Sequence, residues 1–191
     1  MAEQARIELI LGGQKSGKSR LAEQRASAWL AAAPDRQAVL LATGLAGDDE
    51  MRRRIERHRL DRAVRLPSLI TYEEPRELAQ ALLQLSRPDT LVVVDCLTTW
   101  LTQALMPPPN WEPVSNMAAA RLQLCDTLAS LPGPVVMVGN EIGWGVIPMG
   151  AEVRHFVDEL GLLNQAVAQV AERVTLVLAG CTVTVKGAGR W

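Results

Sequence analysis

The chain has 191 residues, enough for one domain with a full core and too few for two ordinary ones. Hydrophobic residues make up 48% and aromatics 4%, so the core must come from Leu, Val, Ala and Ile, which suits a buried parallel sheet and excludes a disordered chain. The formal net charge of −1 excludes a general basic face for nucleic acid.

The elements alternate along the chain. Residues 7–11 read as an apolar strand ending in Gly12-Gly13, and residues 18–33 as a helix closed by Pro34. Residues 38–43 form a second strand. Asp48 or Asp49 caps a short helix to about Asp61, and residues 69–71 suggest a short strand. A helix starts at Pro75 and runs to about Leu85. Residues 91–94 are a continuous apolar run that ends in Asp95. Pro107-Pro108-Pro109 breaks the chain before a helix over 115–131. Residues 134–138 predict another buried strand, 140–148 a Gly-rich loop and 151–171 a long helix. Residues 174–179 and 182–186 end the chain as two strands around Gly180-Cys181, an expected antiparallel hairpin. Strands that are continuous rather than alternating predict an α/β fold, with a mostly parallel sheet flanked by helices on both faces. No repeat or long linker divides the chain, so residues 1–191 are expected to form a single domain.

Cys96, Cys125 and Cys181 are widely spaced and include no Cys-x-x-Cys pair, which suggests neither a disulfide framework nor a zinc site. The polar N-terminus does not read as a signal peptide. No apolar run approaches the roughly 20 residues of a membrane span, and a reducing cytoplasm is the expected location.

One segment carries chemistry by itself. Gly12, Gly13, Gln14, Lys15, Ser16, Gly17, Lys18 and Ser19 match the Walker A pattern between a strand and a helix. Glycines let backbone N–H groups converge on phosphate oxygens, and the helix N-terminus adds positive potential. Lys18 is expected to reach the outer phosphates and Ser19 to ligate Mg²⁺. Asp95, at the end of its strand, is the candidate carboxylate for the same metal; the plainer alternative is a strand-end Asp that caps the next helix. The guanine-reading Asn-Lys-x-Asp of a GTPase switch is absent. With the charge arguing against a nucleic-acid motor, a small-molecule kinase is left.

His58 sits on a helical stripe with Met51 and Ile55, where it can simply border an apolar face. Arg54 and Arg62 flank it at i−4 and i+4, an arrangement better suited to an arriving phosphate than to stability. His155, between Arg154 and Phe156, reads as structural or surface.

Further segments resemble one family in order along nearly the whole chain. They are Ala42-Thr43, then Asp48-x-Glu50-Met51-x-x-Arg54-Ile55-x-x-His58-Arg59-x-x-Arg62, Glu73-Glu74-Pro75 and Asp95-Cys96-Leu97-Thr98-x-Trp100-Leu101. They continue with Asn140-Glu141-Ile142-Gly143-x-Gly145-Val146-Ile147-Pro148, Arg154-x-Phe156-x-Asp158-x-x-Gly161-x-x-Asn164-Gln165 and Lys186. Together with the P-loop they resemble the bifunctional adenosylcobinamide kinase / adenosylcobinamide-phosphate guanylyltransferase of cobalamin biosynthesis. The chain departs from that pattern at 63–71, which lacks the usual Trp, and at Val157 and Leu162, where arginines are the rule.

The resemblance implies a RecA-like P-loop fold, ATP and GTP as substrates with Mg²⁺, adenosylcobinamide and its phosphate as partners, and a homotrimer. It implies that His58 attacks the α-phosphorus of GTP and carries GMP. It also implies nucleotide contacts from Ala42, Thr43, Gly44, Arg59, Leu60, Asp61, Arg62 and Glu73. A kinase for another small molecule with an inert His58, or a RecA-like ATPase module, are the alternatives.

Overall fold

The computed structural model describes residues 5–46, 49, 52, 53, 56, 57, 60 and 64–187. Seven strands form one sheet: β1 (Ile7–Gly12), β2 (Gln37–Ala42), β3 (Ile70–Glu73), β4 (Thr90–Asp95), β5 (Val135–Asn140), β6 (Arg173–Leu178) and β7 (Cys181–Lys186). Five helices have defined bounds: α1 (Lys18–Ala31), α2 (Leu78–Leu85), α3 (Leu97–Leu105), α4 (Met117–Ser130) and α5 (Ala151–Val170). The described residues from 49 to 65 are helical as well. Strand order is β3-β2-β4-β5-β1-β6-β7, parallel throughout except for the antiparallel β6–β7 hairpin.

The mixed architecture expected from continuous apolar strands is present, hairpin included. α3 was not foreseen. Its apolar residues Leu97, Trp100, Leu101 and Ala104 follow the helical period, yet they continue directly from the β4 run and are easily merged with it. The helix expected over 48–61 falls largely outside the described residues.

Strand alternation sends side chains to two cores. Ile7, Leu9, Val92, Val94, Val135 and Met137 meet α2, α3, α4 and α5 on one face. Ile10, Leu40, Val93, Val136 and Val138 meet Leu21, Ala22, Ala26 and Trp29 of α1 on the other. Burial of each such Leu or Val contributes roughly 1.5–3 kcal/mol before entropy is counted. Two helical layers therefore enclose the sheet from both faces.

One carboxylate interrupts the α1 face. Glu8 of β1 is fully buried. Arg25 of α1 donates to it from Nε at 3.0 Å and from Nη2 at 3.3 Å. The Thr175 hydroxyl of β6 donates at 2.6 Å. A buried charge is tolerable only with such partners. The pair pins α1, and hence the loop that precedes it, to the centre of the sheet. Arg25→Ala is expected to cost about 3 kcal/mol, because Glu8 then keeps a single donor in a dry site. Urea unfolding should show a lower midpoint at unchanged slope; an unmoved midpoint would mean that Glu8 is satisfied some other way.

Candidate functional site

The carboxyl ends of the strands lie in register. Gly12 is opposite Asn140, Ala42 opposite Asp95, and Asp95 opposite Val138. Ligands of open α/β sheets bind at this edge, and the glycine loop leaves it here.

Gly12 has φ +155°, and a Cβ there would overlap the Val177 carbonyl oxygen of β6. Gly17 has φ +108° at the N-cap of α1. Only glycine meets both demands without strain. The hairpin also donates to the loop: Gly180 N–H bonds the Ser16 carbonyl at 2.9 Å. Lys18 opens α1, is buried, and donates from Nζ to the Gly13 carbonyl at 2.5 Å.

A pocket of about 520 Å³ opens over this loop. Its wall comprises Gln14 to Arg20 of the loop and α1, Arg57 and Arg65 of the 49–65 segment, Asp95 and Cys96 after β4, and Val138 and Asn140 of β5. Lys15, Lys18, Arg20, Arg57 and Arg65 are cations; among the described residues Asp95 is the one acidic group on the wall. That balance fits a polyanion such as a nucleoside triphosphate.

Burial pulls the pKa of Lys18 below its ordinary 10.5; the neighbouring Cys96 and Asp95 oppose the shift. Burial likewise pushes the Cys96 thiol up, helped by Asp95 and partly offset by hydrogen bonds from Thr99 and Thr98.

Polar bonds lace the strand ends behind the wall. Thr43 is fully buried. Its hydroxyl accepts from the Cys96 N–H at 2.9 Å, donates to the Cys96 carbonyl at 2.6 Å and lies 2.5 Å from the Thr99 hydroxyl. Thr43 N–H bonds the Asp95 carbonyl, Glu74 N–H the Ala42 carbonyl, and Glu141 N–H the Gly12 carbonyl. The turn that carries Asp95 is thus fixed by Thr43 at the end of β2 and by Thr99 of α3.

The expected site residues divide into three groups. Gln14, Lys15, Ser16, Gly17, Lys18, Ser19 and Asp95 share the pocket wall, and Gly12 and Gly13 shape the loop beneath it. Ala42, Thr43, Gly44, Leu60 and Glu73 are not on that wall; the Thr43 side chain is turned inward and Leu60 is exposed. His58, Arg59, Asp61 and Arg62 lie outside the described residues. Sequence reasoning passed over Arg20, Arg57, Arg65 and Cys96. Arg57 stood in a visible basic run, whereas Arg65 is brought in by a bidentate pair with Glu23 of α1 (2.9 and 3.0 Å), which no local pattern announces.

Ser19 and Asp95 are compatible with Mg²⁺. No group of three or more His, Cys, Asp and Glu that could hold a metal occurs among the described residues. One hydroxyl and one carboxylate beside a phosphate cradle is the donor set of a cation that shares its ligands with a nucleotide.

Fold and loop together define a P-loop nucleotide-binding protein of the RecA-like α/β class. Flagellar accessory protein FlaH from Methanocaldococcus jannaschii shares the fold, with TM-score 0.54 and 12% identity over 95% of this chain and 78% of that one. The chain belongs to the cobinamide kinase / cobinamide phosphate guanyltransferase family, whose profile matches residues 8–185. It is 42% identical over 180 residues to the bifunctional adenosylcobalamin biosynthesis protein CobP of Pseudomonas aeruginosa (94% of this chain, 97% of the relative). It is 33% and 34% identical to the bifunctional adenosylcobalamin biosynthesis proteins CobU of Escherichia coli and Salmonella typhimurium, over 93% of this chain and 98% of each. Membership makes it a transferase of cobalamin biosynthesis.

Lys18→Gln is expected to weaken nucleoside triphosphate binding by roughly ten- to a hundredfold, the value of one lost charge-assisted hydrogen bond. Titration calorimetry checks it. The ammonium binds phosphate only when protonated, so affinity falls as pH rises through the Lys18 pKa, and lowering that pKa brings the fall below 10.5. Lys18→Arg should move the fall to higher pH; a pH profile indifferent to residue 18 would remove Lys18 from the phosphate site.

Proposed function

We propose that this chain phosphorylates the aminopropanol hydroxyl of adenosylcobinamide with ATP or GTP, then transfers GMP from GTP through a guanylylated His58 to give adenosylcobinamide-GDP. The reading unites residues 1–191 in one catalytic unit. One observation carries it: Arg57, adjacent in sequence to His58, lines the same pocket as the P-loop amines. Arg57 and the loop thus line one cationic pocket, which supports a nucleophile at the neighbouring position 58. Kinship with relatives named as bifunctional adenosylcobalamin biosynthesis proteins supports the same conclusion.

In the kinase step Lys18 and the loop N–H groups hold the phosphate chain and neutralise charge that shifts toward the leaving oxygen. Ser19 and Asp95 would hold Mg²⁺, which when bound supplies further charge neutralisation to the β- and γ-phosphates. In the guanylyl step a neutral His58 nitrogen forms a bond to the α-phosphorus as the bond to pyrophosphate breaks. Nucleophilic attack requires that nitrogen to be the neutral form. The guanidiniums of Arg57 and Arg65 are placed on the wall to take up the charge of the departing pyrophosphate. Cobinamide phosphate then attacks the phosphoramidate, and His58 is regenerated. A cytoplasmic homotrimer completes the reading. Among the described residues, no helix is long and apolar enough to cross a membrane.

Incubation with GTP labelled at the α-phosphate should leave acid-labile, base-stable label on the protein. His58→Asn should abolish that label and guanylyl transfer while cobinamide phosphorylation continues. Label that survives in the variant would exclude His58 as the nucleophile.

A further inference from the structure

Asn140 has a placement that the P-loop motif does not explain. β5 lies between β1, which delivers the glycine loop, and β4, which delivers Asp95. Asn140 is its last residue and stands in register opposite Gly12. It shares a strand face with Val138, and both line the pocket beside Lys18 and Asp95. A side chain there lies midway between the two halves of the phosphate site.

Its backbone is held from both sides by other side chains. The Thr98 hydroxyl of α3 accepts from Asn140 N–H at 2.9 Å. Asn164 Nδ2 of α5 donates to the Asn140 carbonyl at 3.0 Å. Asn164 is buried, and Gly139 leaves it room: a Cβ on Gly139 would stand 3.1 Å from Asn164 Oδ1 and 3.0 Å from Leu11 Cδ2. Two helices thus each place a polar side chain on the main chain of one residue. Among the described residues, the Asn140 side-chain amide makes no hydrogen bond. The backbone is fixed and the amide is left for the pocket, the arrangement expected of a preorganised functional group.

We propose that Asn140 is a catalytic residue of the phosphoryl-transfer step, its amide reading the terminal phosphate of the bound nucleotide. The inference rests on the kinase reading above. The acceptor alcohol oxygen forms a bond to the γ-phosphorus. The bond from γ-phosphorus to the β–γ bridging oxygen breaks, its electron pair leaves with the nucleoside diphosphate, and the alcohol proton passes to water. The amide NH₂ donates to an equatorial oxygen of the transferring group. No charge is added beside Asp95, which suits a position between a carboxylate and a polyphosphate. Thr98 and Asn164 are its positioning residues.

The test uses the whole chain with Asn140→Ala and with Asn140→Asp, which keeps nearly the same shape and both backbone bonds. Asn140→Ala should bind ADP within about twofold of the parent protein. Its kcat for phosphate transfer from ATP should fall roughly 10²- to 10³-fold, as when one transition-state donor is removed. Asn140→Asp should fall further through repulsion of the phosphate, while its thermal midpoint stays within a few degrees. Basal ATP hydrolysis, with water in place of the alcohol, should fall in parallel. Equal losses of ADP and ATP affinity, or a rise in the cobinamide KM with kcat unchanged, would overturn the assignment. A parent protein that hydrolyses ATP but leaves cobinamide unmodified would overturn the acceptor reading alone, and the hydrolysis and affinity data would still decide the role of Asn140.

Discussion

The contact between the glycine loop and the β6–β7 hairpin sets everything above it. Gly12 passes so close to the Val177 carbonyl that no side chain fits, and the Gly180 N–H holds the Ser16 carbonyl. The loop is therefore braced from behind by a strand pair that takes no part in the pocket wall. α1 is braced in turn, because the Glu8–Arg25–Thr175 cluster joins it to β1 and β6. A phosphate cradle needs its N–H groups aimed before the ligand arrives, since loop ordering would otherwise be subtracted from the binding energy. Here the aim is set by β6 and its hairpin partner.

Charge is sorted locally rather than globally. In a chain with a net charge of −1, the described residues place five cationic side chains and a single carboxylate on one pocket wall. The acidic residues elsewhere act as anchors. Glu23 grips Arg65 with two contacts and holds that residue against α1. An arginine that is both anchored and on the wall loses little side-chain freedom when it meets an anion, which is where a guanidinium outperforms an ammonium.

The fold was legible because buried parallel strands write themselves as continuous apolar runs, and the P-loop because its glycines answer a steric demand. α3 was hidden for the converse reason, its apolar face beginning where the β4 run stops. Asn140 was legible only in part, and Arg65 not at all. Their roles depend on contacts with Glu23, Thr98 and Asn164, between 24 and 42 residues away. Thr43 shows the converse. The resemblance implied a nucleotide contact there, and the structure shows its hydroxyl bonded to the Cys96 backbone and to Thr99. A linear motif locates a residue at an edge and does not say which way it turns.

That inward knot has a chemical consequence for the cysteine it encloses. Cys96 borders the phosphate pocket, where a reactive sulfur would invite oxidation or alkylation. Burial and the adjacent Asp95 raise its pKa, so at neutral pH it persists as the sluggish thiol rather than the nucleophilic thiolate. The carboxylate that lines the pocket also passivates its neighbour, and an enzyme handling activated phosphates keeps a competing nucleophile silent at the rim of its own chamber.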